Sequence, residues 1–266
     1  MLFPCANSNF ARSLMVFYHF LSDNERGYLV RGKLLLIMGN MNMVAGNTEK
    51  AKKFYKAAIK KRVKSALAYL NYSVLLMQEG ENAEAKIHLE TGLSLKRKKP
   101  LTDKNLLSSL GTCQWLLGNL DESVKTFETL KRKYTYINAG VLTTLGFVYL
   151  LKGELDKAES TTLEALRDDS SYASAWDNMG QINFARGLFD DARENFLKAV
   201  EYKELPDSLY YLGVLSEVEK NAEEARGWYE RALNANISGL NTITRAQIEG
   251  KLAKLAKNEE REDELE

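Results

Sequence analysis

The residues with the strongest acid–base, nucleophilic or metal-binding chemistry in this chain are few: His19, His88, Cys5 and Cys113. The two cysteines form no C-x-x-C pair, which speaks against a zinc site or a disulfide framework. The two histidines share no motif with each other or with a cysteine, so they supply neither a ligand set nor an acid–base pair. Cys113 falls inside an apolar helical pattern and reads as a small buried thiol. The sequence contains no G-x-x-x-x-G-K-S/T phosphate loop, no G-x-S-x-G nucleophile elbow and no H-E-x-x-H metal helix. Its carboxylates scatter over polar faces. A non-enzymatic protein is expected, with no catalytic residues, no metal and no cofactor.

The elements that would position any site are helical. Apolar residues make up 45% of the chain and only three prolines occur, which suits helices, since proline breaks their interiors. From Ala173 to Leu205, Trp176, Met179, Gly180, Gly187, Ala192, Phe196 and Ala199 stand at fixed places, and the spacing recurs elsewhere. One column holds Gly39, Ser73, Gly111, Gly146, Gly180 and Gly213. A second holds Gly46, Gly80, Gly118, Gly153, Gly187 and Lys220, and a third Ala51, Ala85, Ser123, Ala158, Ala192 and Ala225. All three advance in the same irregular steps of 34, 38, 35, 34 and 33 residues. The first column implies close approach of a second helix's backbone, since glycine inside a helix costs about 1 kcal/mol. The second implies a left-handed residue closing each first helix. Tyr55, Leu89, Phe127, Phe196 and Tyr229 fill a further position of the second helices, where Thr162 departs and predicts looser packing.

The W-x2-(L/M)-G and A-x3-F-x2-A spacing resembles the tetratricopeptide (TPR) repeat family. The resemblance spans residues 32–239 as repeats 32–65, 66–99, 104–137, 139–172, 173–205 and 206–239. It implies an all-α fold: a right-handed α-solenoid of about six helix–turn–helix repeats. A lengthened turn with Thr102 or Asp103 as a new N-cap is expected at KKPLTD. Lys220-Asn221 should keep its turn, because asparagine tolerates the left-handed conformation. The resemblance also implies that positions 2, 5, 9, 12 and 13 of each repeat's first helix face a concave groove in which family members commonly bind ligands. The residues expected there are Leu36, Asn40, Leu70, Val74, Met77, Ser108, Thr112, Trp115, Thr143, Phe147, Asp177, Gln181, Phe184, Tyr210 and Val214. Trp115 and Phe184 fit the groove and the inter-repeat core equally well; Leu70, Val74, Phe147 and Tyr210 fit the groove better. The Lys/Asn/Arg clamp by which some family members hold a C-terminal carboxylate is matched at Asn40 alone.

Residues 1–31 read as a tail and a short apolar helix, Phe10–Leu21, followed by a capping box at Ser22-x-x-Glu25. Residues 240–266 read as a capping helix, started by Thr244-x-x-Gln247 and seated by Ile248, Leu252 and Leu255, then a fraying acidic tail. The stretch Leu14–Leu21 is too short to span a bilayer and lacks the flanks of a signal peptide. The protein is expected in the cytoplasm, with peripheral membrane association as the minority alternative. Charge is polarised: residues 1–137 carry 22 Lys/Arg against 11 Asp/Glu, and residues 138–266 carry 15 against 25. The expected role is an adaptor that binds an apolar or amphipathic peptide or helix of another protein. The alternatives are a peptide-sensing regulator and a scaffold that self-associates through its basic and acidic halves. Nucleic acid is disfavoured, since the steps and the apolar groove do not suit base-reading repeats.

Overall fold

The computed structural model describes residues 13, 15, 16, 18, 25–96, 98–238 and 241–263. Thirteen helices are delimited among the described residues, which include no strand. The chain divides into two compact units, residues 1–130 and 131–266. Each is an all-α stack of helical hairpins, the architecture of a repeat solenoid. The first unit holds α1 (Glu25–Val44), α2 (Thr48–Lys60), α3 (Ala66–Gln78), α4 (Asn82–Ser94), α5 (Pro100–Leu116) and nearly all of α6 (Leu120–Lys133). The second holds α7 (Ala139–Leu151), α8 (Leu155–Asp168), α9 (Ala173–Ala185), α10 (Phe189–Tyr202), α11 (Pro206–Val218), α12 (Ala222–Asn234) and α13 (Arg245–Asp263). The expected tail at residues 1–9, most of Phe10–Leu21 and Ser22 of the first capping box lie outside the described residues.

Helix boundaries follow local chemistry. Ser65, Asn138 and Asn221 cap α3, α7 and α12, each side-chain oxygen accepting from the amide three residues on. The expected cap at Thr102 or Asp103 is overturned: α5 begins at Pro100, whose missing N–H is harmless in the first turn. Asp103 instead pairs with Lys98 at 3.3 Å. Five turn glycines have φ between 73° and 80°, and Lys220 takes the same left-handed role at 61°. Asn221, expected to take that conformation, is the N-cap of α12 instead.

The two helices of a hairpin differ in pattern. The second helices are amphipathic: α2 buries Ala51, Tyr55 and Ala58, and α10 buries Ala192, Phe196 and Ala199. These are i, i+4, i+7 stripes with polar faces outward. The first helices are buried on several sides: α3 packs on α4 and α5, and α9 on α10, α7 and α11. In the first unit one core runs from Ala51 and Tyr55 through Leu70, Leu75, Leu76 and Leu89 to Leu106, Leu110 and Cys113.

The glycines inside the first helices meet side chains, where the sequence suggested backbone. A Cβ at Gly39, Gly111, Gly180 or Gly213 would lie 2.5–2.7 Å from the ring of Tyr55, Phe127, Phe196 or Tyr229. At Gly146 it would lie 2.5 Å from Thr162 Oγ1 and 3.3 Å from the Ala158 carbonyl. The small column is fully buried, and Ser123 donates to the Gly111 carbonyl at 2.7 Å.

At the far end, Thr244 and Gln247 form the expected capping box: the Thr244 amide donates to Gln247 Oε1 at 2.7 Å and the Gln247 amide to Thr244 Oγ1 at 3.3 Å. Ile248 and Leu255 are buried in one cluster with Leu209 and Tyr229. This helix runs through Asp263.

Candidate functional site

The first helices of the hairpins carry the expected groove positions, and the structure sorts those residues by burial. In the first unit Leu70 is buried, while Leu36, Val74 and Met77 are half-buried against the same core. Asn40 is tied into a polar link: its Oδ1 accepts from Tyr55 Oη at 2.9 Å and from Asn71 Nδ2 at 3.4 Å. Asn71 also donates to Tyr55 Oη at 3.0 Å, so α1, α2 and α3 share one network. Ser108, Thr112 and Trp115 are half-buried on α5, with the Thr112 hydroxyl donating to the Ser108 carbonyl at 3.2 Å.

In the second unit Thr143, Phe147, Asp177 and Gln181 are all buried. Phe184 packs on the rings of Phe189 and Tyr211, with centroids 5.4 and 5.0 Å apart. Tyr210 and Val214 are half-buried against the cluster of Leu209 and Tyr229. Leu70, Thr143, Phe147, Asp177 and Gln181 therefore depart from the groove exposure expected of them. Where successive first helices pack on each other, α3 on α5 and α9 on α11, there is little open surface at the fifth and ninth positions.

The open surface belongs to other side chains. On α1, Ile37 is 44% exposed and Val44 85%, and on α3 Leu67 is 42% exposed. On α7 and α11, Leu151 and Val218 are 42% and 58% exposed. Val44, Leu67, Leu151 and Val218 stand at the second or thirteenth position of their repeats. Those positions belonged to the expected groove, yet none of these side chains was singled out. Each stands at a helix end, where sequence periodicity cannot distinguish surface from core.

Among the described residues Asp177 is the most perturbed carboxylate. Its carboxylate accepts from Ser208 Oγ at 2.5 Å and from Gln181 Nε2 at 2.8 Å. Burial, reinforced by the negative charge of Asp207, pushes its pKa up to about 7 against those two hydrogen bonds. Asp207 is itself buried and accepts from the Thr242 amide at 2.8 Å, from the Thr242 hydroxyl and from the Asn241 amide group. Burial and the two carboxylates also raise Tyr211, to about 12. These groups join α9, α11 and the start of the capping segment.

A second feature escaped sequence reasoning: ion pairs that link consecutive hairpins. Lys52 pairs with Glu79 and, at 3.4 Å, with Glu81. Lys86 pairs with Glu122 at 2.9 Å. Arg193 pairs with Glu219 at 2.7 Å and Glu224 at 3.3 Å. All three cations occupy the same place in their second helices. At that place in the fourth repeat stands Glu159, and the sign reverses: Arg186 of the next repeat reaches back to Glu159 and Asp156, each at 2.8 Å.

Among the described residues no group of three or more His, Cys, Asp or Glu could hold a metal ion. No described helix is long and apolar enough to cross a membrane. Residues 66–99 and 178–239 each match the tetratricopeptide repeat family. The chain is a tetratricopeptide-repeat protein.

Solved structures of other tetratricopeptide-repeat proteins and assemblies share its fold. The crystal structure of the Cut9–Hcn1 hetero-tetramer of the APC/C matches 93% of this chain and 46% of its own, with a TM-score of 0.68 and 16% identity. PilW, a widely conserved type IV pilus biogenesis factor, matches 76% of this chain and 92% of its own, with a TM-score of 0.64 and 17% identity. MamA matches 65% and 91%, with a TM-score of 0.53 and 21% identity. No curated protein matches the sequence. At these identities the likeness is one of fold.

Proposed function

We propose that this tetratricopeptide-repeat protein is a non-enzymatic adaptor whose first-helix faces hold an apolar or amphipathic segment of another protein. Tetratricopeptide repeats are protein-interaction modules, which supports the reading at the level of class. The observation that carries it is the apolar surface on consecutive first helices of the first unit: Ile37 and Val44 on α1, Leu67 on α3. Exposed aliphatic side chains on neighbouring helices suit a helix laid across them with its own apolar stripe. Beneath them the Asn40–Tyr55–Asn71 network holds α1, α2 and α3 in register, so the surface is organised before a partner arrives. Half-buried Leu36, Val74 and Met77 pack against the core of the same unit.

A displayed peptide library tests this. Peptides selected on the full chain should carry apolar residues at helical spacing, and Ile37→Glu with Leu67→Glu should lose them while the melting curve stays within a few degrees. Selected peptides that the double variant retains at full affinity would place the site elsewhere.

A further inference from the structure

The linkers that join one hairpin to the next differ from the tight turns within each hairpin. In the first unit two of them lie on the same edge, because both run from a second helix to a following first helix. They are Lys61–Ser65, between α2 and α3, and Leu95–Lys99, between α4 and α5. Neither contains an acidic residue. Arg62, Lys64, Lys96 and Lys99 are exposed. Arg62 holds a left-handed backbone, φ 55°. The nearest carboxylate on the α5 side, Asp103, is buried and neutralised by Lys98 at 3.3 Å. The acids that pair with Lys52 and Lys86 come from Glu79, Glu81 and Glu122, around the tight turns at the opposite edge.

The second residue after each linker is an exposed leucine. Leu67 follows Lys64 and is 42% exposed; Leu101 follows Lys99 and is 68% exposed. The segment preceding α1 adds to this edge. Tyr18 packs on the cluster that contains Val63 of the first linker, and Met15 and Val16 beside it are exposed.

We propose that this edge of the first unit docks on an anionic lipid bilayer, the linker cations among the headgroups and Leu67 and Leu101 dipping into the interface. Cations alone would suit any polyanion. The alternation with exposed leucines selects the membrane, since stable peripheral attachment takes a charge signal together with an apolar one. Single-stranded nucleic acid would call for stacking aromatic rings between the cations, and the two linkers hold none. Two linkers of the second unit differ: Asp169–Tyr172 opens on an acid, and the link from α10 to α11 is Lys-Glu-Leu, residues 203–205. The assignment concerns these two linkers of the first unit; it shares Leu67 with the groove reading above, and the lysine and Leu101 variants test it separately.

Co-sedimentation of the full chain with phosphatidylcholine vesicles, with and without phosphatidylserine, tests the assignment. The chain should sediment only with the anionic vesicles and be released by salt. The double variant Lys64→Gln/Lys99→Gln should lose about thirty-fold in partitioning, at about 1 kcal/mol per cation. Leu101→Ser should lose several-fold, and Lys203→Gln, exposed on the second unit, should change nothing. Circular dichroism melting of each variant keeps folding separate from binding. Failure to bind anionic vesicles overturns the proposal, as does full binding by the double variant or by Leu101→Ser. A single-stranded oligonucleotide or poly-glutamate that binds the same edge in preference to the vesicles overturns it too.

Discussion

The fourth and fifth repeats share the second unit and nearly the same backbone, yet they fill two equivalent places in opposite ways. Facing the glycine of the first helix stands Thr162 in the fourth repeat and Phe196 in the fifth; both are fully buried. On the fifth position of the first helix stands Thr143 in one and Asp177 in the other, again both buried. The hydroxyl oxygens of Thr143 and Thr162 have no hydrogen-bond partner among the described residues, whereas Asp177 is bonded on both carboxylate oxygens. The fold thus tolerates two solutions for each place. The aromatic solution buries more apolar surface and requires the glycine. The threonine solution leaves polar atoms dry and unsatisfied, so the fifth repeat should contribute more to the stability of the second unit.

The largest test of that difference is Phe196→Ala. It removes a fully buried ring and should cost about 3–5 kcal/mol, measured by urea unfolding followed at the circular dichroism helix band. Thr162→Ala, by the same measurement, should cost much less.

Next in size is the pH dependence of Asp177. Its proton is held more tightly in the folded chain than in the unfolded one, where carboxylates titrate near pH 4. The stabilisation is therefore complete below about pH 4 and is lost as the pH rises through about 7. Between pH 5 and pH 8 the unfolding free energy of the second unit should fall by about 2–3 kcal/mol from this group. Asp177→Asn should remove that slope, and an unchanged slope in the variant would assign the titration to other groups.

Gly180→Ala should destabilise by about 1–2 kcal/mol, because its Cβ meets a rigid ring at 2.5 Å and the helix-propensity gain offsets only part of the strain. Gly146→Ala should cost less, since the opposing Thr162 hydroxyl can turn aside. If the two glycines cost the same, the ring is not what the column serves. The smallest effect expected is a gain. Thr162→Val keeps the shape, removes a buried hydroxyl without a partner and should stabilise by about 1 kcal/mol, visible as a raised melting temperature.

The repeat architecture was legible because its constraints are local and recur. A left-handed turn at Gly46 or Gly187, a small residue at Ala51 or Ala192, and an apolar stripe on α10 each leave a mark at fixed spacing. What the first-helix glycines touch was not legible, since spacing does not say whether Gly180 meets the backbone or the ring of Phe196. The N-cap of α5 was misplaced because Thr102 and Asp103 have the right chemistry, and Pro100 outcompetes them by starting the helix at least three residues earlier. Of the expected groove residues, Asp177 turned out to accept from Gln181 and from Ser208, the latter 31 positions away. Polar side chains on a helix face read as solvent-facing until the neighbouring repeat is placed against them. The ion pairs between hairpins were hidden for the same reason, and their change of sign at Glu159 conceals them further.

That change of sign makes the repeats unequal neighbours. Glu159 is complemented only by a cation where Arg186 stands, and Arg193 only by an acid where Glu219 stands. A gene that lost the fifth repeat by slippage between similar copies would set Glu159 opposite Glu219, carboxylate against carboxylate. The order of the hairpins is thus written in their charges, so that modules alike enough to be duplicated are not free to be shuffled.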